Sequence, residues 1–301
     1  MAELIDDARA AFTVEGAPLR GRIVRMGPGA LDPILRRHAY PDPVALLLGE
    51  MVLFVALMGG LLKVEGRLIV QAQGDGPAPL MVAEHRSDGS VRAYARLAPD
   101  AAERMGGAHR LRPRDVIGDG VFAVTLDQGP DFTPHQGFVP LTGDTLAACA
   151  EAYFRDSEQT DTRIHLSIGE VFTRDAPPVW RGGGALIQRV AADDARGDVE
   201  EPWSRATIFF GTLSDVELLD PALPSADLLY RLYHEDGVRM APPEPLADRC
   251  SCTEERLVEV LQQMPGEQVR DLVEPDGMIH AKCQFCARVY EIGPEKIGSS
   301  G

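Results

Sequence analysis

The chain has 301 residues, 45% of them apolar, with 46 acidic and 30 basic side chains and a net charge of −16. That length suits about two domains with a sizeable core. The acidic balance argues against a phosphate-tracking surface, because nucleic-acid affinity rests on clustered Lys and Arg.

The start, through Asp6 and Asp7, is acidic where an export signal is basic and then apolar. A cytoplasmic protein with reduced thiols is therefore expected. Residues 44–62 are almost wholly apolar and long enough to suggest a membrane span. Glu50 near the middle, the entry Tyr40-Pro41-Asp42-Pro43 and the stop Met58-Gly59-Gly60 predict a buried core helix instead.

Strands are predicted over residues 68–73, closed by the turn Gly74-Asp75-Gly76-Pro77, and over 91–97, 121–126 and 137–141. Asp144 is expected to cap a helix over 145–157, with Leu146, Cys149, Ala150, Tyr153 and Phe154 on one face. Cys149 there reads as a buried, inert thiol. Two further strands are predicted, at 162–168 and 170–173. Gly182-Gly183-Gly184 leads into Ala185-Leu186-Ile187 and is no phosphate loop, since no Lys-Ser or Lys-Thr follows. Residues 1–192 thus read as a mixed α+β core domain.

Asp193, Asp194, Asp198, Glu200 and Glu201 mark a solvated boundary. Residues 193–245 read as a mostly helical connector that is unusually apolar. Ile208, Phe209 and Phe210 form one cluster, and Leu228, Leu229 and Leu232 share a helical face that ends at His234. His234 suits a favourable macrodipole contact or solvent exposure. A flexible linker needs no apolar face, so the connector is expected to be docked. Pro242, Pro243 and Pro245 read as a stiff spacer before the cysteines.

Residues 246–301 form a module too small to rely on a large core. Thr253 is predicted to cap a helix over 253–264, Asp276-Gly277 to turn, and 278–281 to return as a strand; the Gly298 to Gly301 end reads as unstructured. Four of the five cysteines lie here, as Cys250-Ser251-Cys252 and Cys283-Gln284-Phe285-Cys286. Two thiol pairs brought together make the tetrahedral four-sulfur site that zinc prefers. Such a site contributes on the order of 10–16 kcal/mol of folding energy to a small domain. The same sulfurs can close two short disulfides. An inert zinc clip and a redox-labile site both remain open, although a disulfide across C-x-C closes a strained ring of the labile kind. His280 is a weaker candidate ligand, because four thiolates already fill the shell.

Two other classes are less well supported. A zinc-clip adaptor for nucleic acid fits poorly with six basic against ten acidic residues from Leu246 onward. A thiol-disulfide oxidoreductase needs an exposed C-x-x-C at a helix N-terminus, whereas Cys283 follows a predicted strand.

Taken together, the chain resembles the heat-shock protein 33 family of bacterial redox-regulated chaperones. The resemblance rests on Cys250-Ser251-Cys252 and Cys283-Gln284-Phe285-Cys286. It rests also on residues 73–77, on 143–149 with Tyr153-Phe154 and Ser157-Glu158-Gln159, and on 229–235. It covers nearly the whole chain. It implies no enzyme, but an ATP-independent holdase for unfolded proteins, without nucleic-acid or membrane partners. It implies one zinc on Cys250, Cys252, Cys283 and Cys286 in an inactive, reduced monomer. Oxidation would pair Cys250 with Cys252 and Cys283 with Cys286, release the metal, unfold the module and connector, and yield a homodimer. Phe209, Phe210, Leu228, Leu229 and Leu232 then become candidate client-binding residues. The alternative is a zinc-clip binding module without redox switching.

Overall fold

The computed structural model describes residues 6–62, 65–129, 132–174, 176–190 and 200–297. Backbone packing divides the chain into a unit Met1–Asp248 and a unit Arg249–Gly301. The expected boundary at residue 192, its acidic residues 193–198 and the Gly298 to Gly301 end lie outside the described residues.

In the first unit, β1 (Ala8–Val14) and β2 (Ala17–Met26) form an antiparallel hairpin, followed by helices α1 (Leu31–Arg36) and α2 (Asp42–Met58). The meander β3 (Arg67–Gly74), β4 (Leu80–Arg86) and β5 (Ser90–Arg96) comes next, then the short helices α3 (Ala101–Arg104) and α4 (Pro113–Ile117). Strands β6 (Gly120–Asp127) and β7 (His135–Pro140), helix α5 (Leu146–Asp156) and the long hairpin β8 (Thr162–Thr173) and β9 (Ala176–Arg189) complete this part. The connector supplies α6 (Glu200–Phe210), α7 (Asp215–Leu219) and α8 (Ser225–Tyr233), then β10 (Val238–Met240) and β11 (Glu244–Pro245); β12 (Ala247–Asp248), expected in the small module, follows within the first unit. One sheet runs β10-β1-β2-β9-β8 with β11 also on β1, and the other runs β12-β5-β4-β3-β6-β7.

Helix α2 packs against both sheets, and its residues from Pro43 to Met58 are all buried. A helix that is apolar all round needs such a site. Proline in its first turn sets the entry, and the chain turns into a short 3-10 segment at Gly59. Glu50 stays tolerable inside because Arg110 donates to it at 2.9 Å, while burial pushes its carboxyl up to about 7. No described helix is long and apolar enough to cross a membrane.

The connector lies on the opposite face of the β1-β2-β9 sheet from α2. Ala10, Phe12, Ile23, Ala185 and Ile187 pack there against Trp203, Phe210, Leu218, Leu228 and Leu232. Period-two alternation makes this possible: Ala8, Ala10, Phe12 and Val14 are buried while Ala11 and Thr13 are exposed.

Several expectations need correction. The α5 cap is Thr145, not Asp144; the extended Thr145 backbone lets its hydroxyl accept from the Ala148 N–H at 3.1 Å. The two strands expected at 162–173 are one continuous strand, β8. The prolines at the end of the connector are no free spacer, because Glu244 and Pro245 pair with β1, and β12 just beyond them runs parallel to β5. The glycine triplet lies inside β9, where the missing side chains allow close packing.

His85 yields a pH prediction. It is fully buried, its Nε2 accepts from Arg9 Nη1 at 3.0 Å, and burial followed by the Arg9 charge lowers its pKa from 6.5 to about 3. The unfolded chain binds the extra proton first, so the stability contribution is complete above pH 6.5 and is lost as pH falls toward 3. The loss is on the order of a few kcal/mol. Urea unfolding at pH 7 and pH 4.5 should show a smaller pH slope for His85→Gln; an unchanged slope contradicts the assignment.

The second unit holds α9 (Glu254–Gln262), α10 (Gly266–Asp271) and the antiparallel hairpin β13 (Ile279–Lys282) and β14 (Val289–Ile292). Thr253 caps α9, its hydroxyl accepting from the Arg256 N–H at 3.3 Å. Among its described residues the buried aliphatic side chains are Leu261, Ile279, Ile292 and Ile297.

Candidate metal centre

The second unit brings its four cysteines together from two turns. Cys250 and Cys252 precede the α9 cap, and Cys283 and Cys286 lie in the turn between β13 and β14. That turn is tight: the Cys283 N–H donates to the Arg288 carbonyl and the Ala287 N–H to the Cys283 carbonyl, both at 2.8 Å. Ala287 closes it at φ 59°, in the left-handed region.

All four sulfurs lie within 4.8 Å of one another. Cys250 Sγ is 3.8 Å from Cys283 Sγ, and Cys252 Sγ is 3.3 Å from Cys286 Sγ. These are non-bonded separations between free thiols. A tetrahedral ion with metal–sulfur distances near 2.3 Å sets its sulfurs about 3.8 Å apart, so the cluster has the right size. Thiolate donors select soft or borderline ions.

The electrostatics also fit a cation. Burial raises the Cys252 thiol, but hydrogen bonds from the Tyr290 hydroxyl and the neighbouring thiols outweigh it and bring it to about 7. Cys286 goes the other way: burial and the surrounding sulfurs push it up to about 12, against the Arg288 N–H. One thiol ionises readily and another resists, as expected where several negative charges share a small volume. A bound cation removes that conflict.

His280 is not part of the cluster. Among the described residues the group consists of the four cysteines alone, and His280 Nε2 is 2.8 Å from Asp276 Oδ2. That hydrogen bond raises the pKa of His280. Cys149 is buried, with its thiol 3.8 Å from the Gly143 carbonyl and its pKa raised by burial. His234 is the exposed C-terminal cap residue of α8, its ring 5.4 Å from that of Tyr230. Cys283 is buried, in a turn after β13 rather than at a helix N-terminus. That is not the setting of an exposed dithiol reductase.

The connector residues singled out from sequence are concealed. Phe210, Leu228, Leu229 and Leu232 are buried, and Phe209 packs on them half-buried. Sequence reasoning missed the sheet face beneath, above all Phe12, Ile23 and Ile187, and missed Trp203 on α6. The alternation over residues 8–14 was the available signal.

A family profile described as "Hsp33 protein" matches residues 7–293. The "33 kDa chaperonin" of Caulobacter vibrioides is 46% identical over 292 residues, covering 97% of this chain and 96% of its own. That of Azotobacter vinelandii is 36% identical over 290 residues, covering 95% and 91%. An Escherichia coli protein of the same name is 33% identical over 279 residues, covering 93% and 89%. In fold, the chain is similar to the crystal structure of the 33 kDa chaperonin from Thermotoga maritima, with a TM-score of 0.76 at 24% identity over 97% of this chain and 96% of that one.

Proposed function

The chain belongs to the Hsp33 protein family, chaperones and not enzymes, and from that premise we propose that it is an ATP-independent holdase switched on by oxidation. The observation that carries the reading is the four-sulfur cluster in a unit with little other core. Each of the four buried aliphatic side chains contributes about 1.5–3 kcal/mol. Zinc in a structural site contributes on the order of 10–16 kcal/mol. Loss of the metal therefore removes the largest single stabilising contribution in residues 249–297.

Cys250, Cys252, Cys283 and Cys286 would hold zinc as four thiolates, and the ion would supply the link around which the module folds. The chemistry of the switch belongs to the sulfurs. A Cys252 thiolate attacks peroxide: an S–O bond forms, the O–O bond breaks, and hydroxide leaves to become water. The Cys250 sulfur then attacks that sulfenic sulfur, the S–S bond forms, and a second hydroxide leaves. Two thiolates have given two electrons to one peroxide, and Cys283 with Cys286 repeat the step. Neighbours in sequence pair because they stay close once the module loosens, whereas the contacts Cys250–Cys283 and Cys252–Cys286 require the folded unit.

Unfolding then spreads backwards along the chain. Cys250 lies just past β12, whose two residues pair with β5, and β11 is equally short. Such short strands fray once the chain beyond them is disordered. The connector follows, exposing Phe209, Phe210, Leu228, Leu229 and Leu232 together with the sheet face they cover. That apolar surface binds unfolded clients, and pairs with a second copy in an oxidised homodimer. The protein acts in the cytoplasm on unfolding proteins, without nucleic acid or membrane as partner.

Aggregation of a heat-denatured client, followed with and without peroxide pretreatment, tests the reading. Protection is expected only after oxidation, with disulfides Cys250–Cys252 and Cys283–Cys286 by peptide mapping. Equal protection by the reduced, zinc-loaded chain sinks it.

A further inference from the structure

We propose that Tyr290 is a positioning residue that restrains the Cys252 sulfur against oxidants while the site is reduced, an inference that rests on the redox reading above. Strand β14 carries the Tyr290 hydroxyl to the C-x-C turn. It donates to the Cys252 carbonyl at 3.0 Å and lies 3.3 Å from Cys252 Sγ. Arg288 Nη1 donates to the same hydroxyl oxygen at 3.5 Å, and its guanidinium lies 6.0 Å from the ring centroid. The oxygen thus accepts from Arg288, and its single proton has two acceptors within reach.

Held by a metal, Cys252 would be a thiolate, and the Tyr290 hydroxyl lies close enough to donate to its sulfur as well as to the carbonyl. A thiolate is charged, and charge-assisted hydrogen bonds are roughly twice as strong as neutral ones. The proton then turns to Cys252 Sγ, helped by the Arg288 charge on the hydroxyl. A lone pair engaged in that bond is less available for the S–O bond-forming attack on peroxide, whose rate follows sulfur nucleophilicity. Once Cys252 is in a disulfide the module unfolds, and Tyr290 is no longer held beside the sulfur. Tyr290 therefore slows entry into the oxidised state without stabilising that state.

The test uses the full chain, reduced and zinc-loaded, as wild type and Tyr290→Phe. Zinc release into a chromogenic chelator under peroxide should run about three- to tenfold faster in the variant, the fraction of one hydrogen bond to a charged group that a nucleophilicity slope of about 0.4–0.5 passes on to the rate. Metal stoichiometry should be unchanged. With cobalt(II) in place of zinc, the sulfur-to-metal charge-transfer band should move to longer wavelength, because an unbonded thiolate gives up its electron more easily. A structural role alone would lower metal loading or the thermal midpoint and leave that band in place. Equal release rates and an unmoved band, with wild-type zinc released normally, overturn the inference and spare the redox reading. Wild-type chain that keeps its zinc under peroxide sinks both. If Tyr290→Phe fails to load metal, Arg288→Gln serves in its place: a smaller acceleration supports the inference, and an unchanged or slower rate overturns it.

Discussion

Cys283→Ser will leave the reduced chain without tightly bound zinc and residues 249–297 open to protease. Cys283 is the buried member of the cluster, in the turn held by the Arg288 and Cys283 backbone hydrogen bonds. A serine hydroxyl stays protonated at neutral pH and is a poor ligand for a borderline-soft ion. Loss of a supporting hydrogen bond at a metal site costs about 10–100-fold in affinity, and loss of a ligand costs more. The remaining core is Leu261, Ile279, Ile292 and Ile297 with partly buried neighbours, which cannot replace a contribution on the order of 10–16 kcal/mol. Limited proteolysis with mass spectrometry should show early cuts in 249–297 while the β1-β2-β9 sheet stays protected. Wild-type zinc content and wild-type resistance would contradict a metal-dependent module.

Gly183→Ala should separate the latch from the metal. Gly183 lies in β9 between Arg25 of β2 and Ser167 of β8, on the face that carries the connector. A Cβ there would lie 2.5 Å from the Leu218 carbonyl oxygen and 2.9 Å from Leu218 Cβ. The first of these is backbone of α7 and cannot rotate away. Overpacking of this kind costs typically about 1–3 kcal/mol. Arg25 would suffer as well: it is buried, donates to the Glu217 carbonyl at 3.0 Å and bonds the Asp220 carbonyl, so it satisfies the C-terminal end of α7 only while that helix stays docked. The reduced variant should keep its zinc, show protease cuts in 200–233 and protect a client without peroxide. Full zinc, a loosened connector and no protection would show that connector release is insufficient for client binding.

Much of the site was legible because its chemistry is local in sequence. C-x-C and C-x-x-C each place two sulfurs within a few residues, so only the meeting of the two pairs had to be inferred. The connector face was legible from Leu228, Leu229 and Leu232 at helical spacing, and α2 from an apolar run with clear start and stop signals. What stayed hidden was non-local. Strands β1 and β2 carry Arg9, Arg20, Arg22 and Arg25 among their apolar residues, and only the fold gives Arg9 and Arg25 their acceptors in Glu244 and α7. The glycine triplet could be denied a phosphate role from sequence, but the packing of Gly183 against α7 depends on Leu218, 35 positions away. Tyr290 reads as one more β-strand aromatic until the hairpin brings its hydroxyl to Cys252. The prolines before Leu246 suggested stiffness, and the pairing of Glu244 and Pro245 with β1 appears only once that sheet is formed.

The most direct test of the central claim is one peroxide titration of the wild-type chain, read for zinc released, thiols lost and protection of a heat-denatured client. Zinc release should track the loss of the four clustered thiols, with protection rising over the same dose. Protection that is already complete in the reduced, zinc-loaded chain, or that rises while the metal stays bound, would contradict the account.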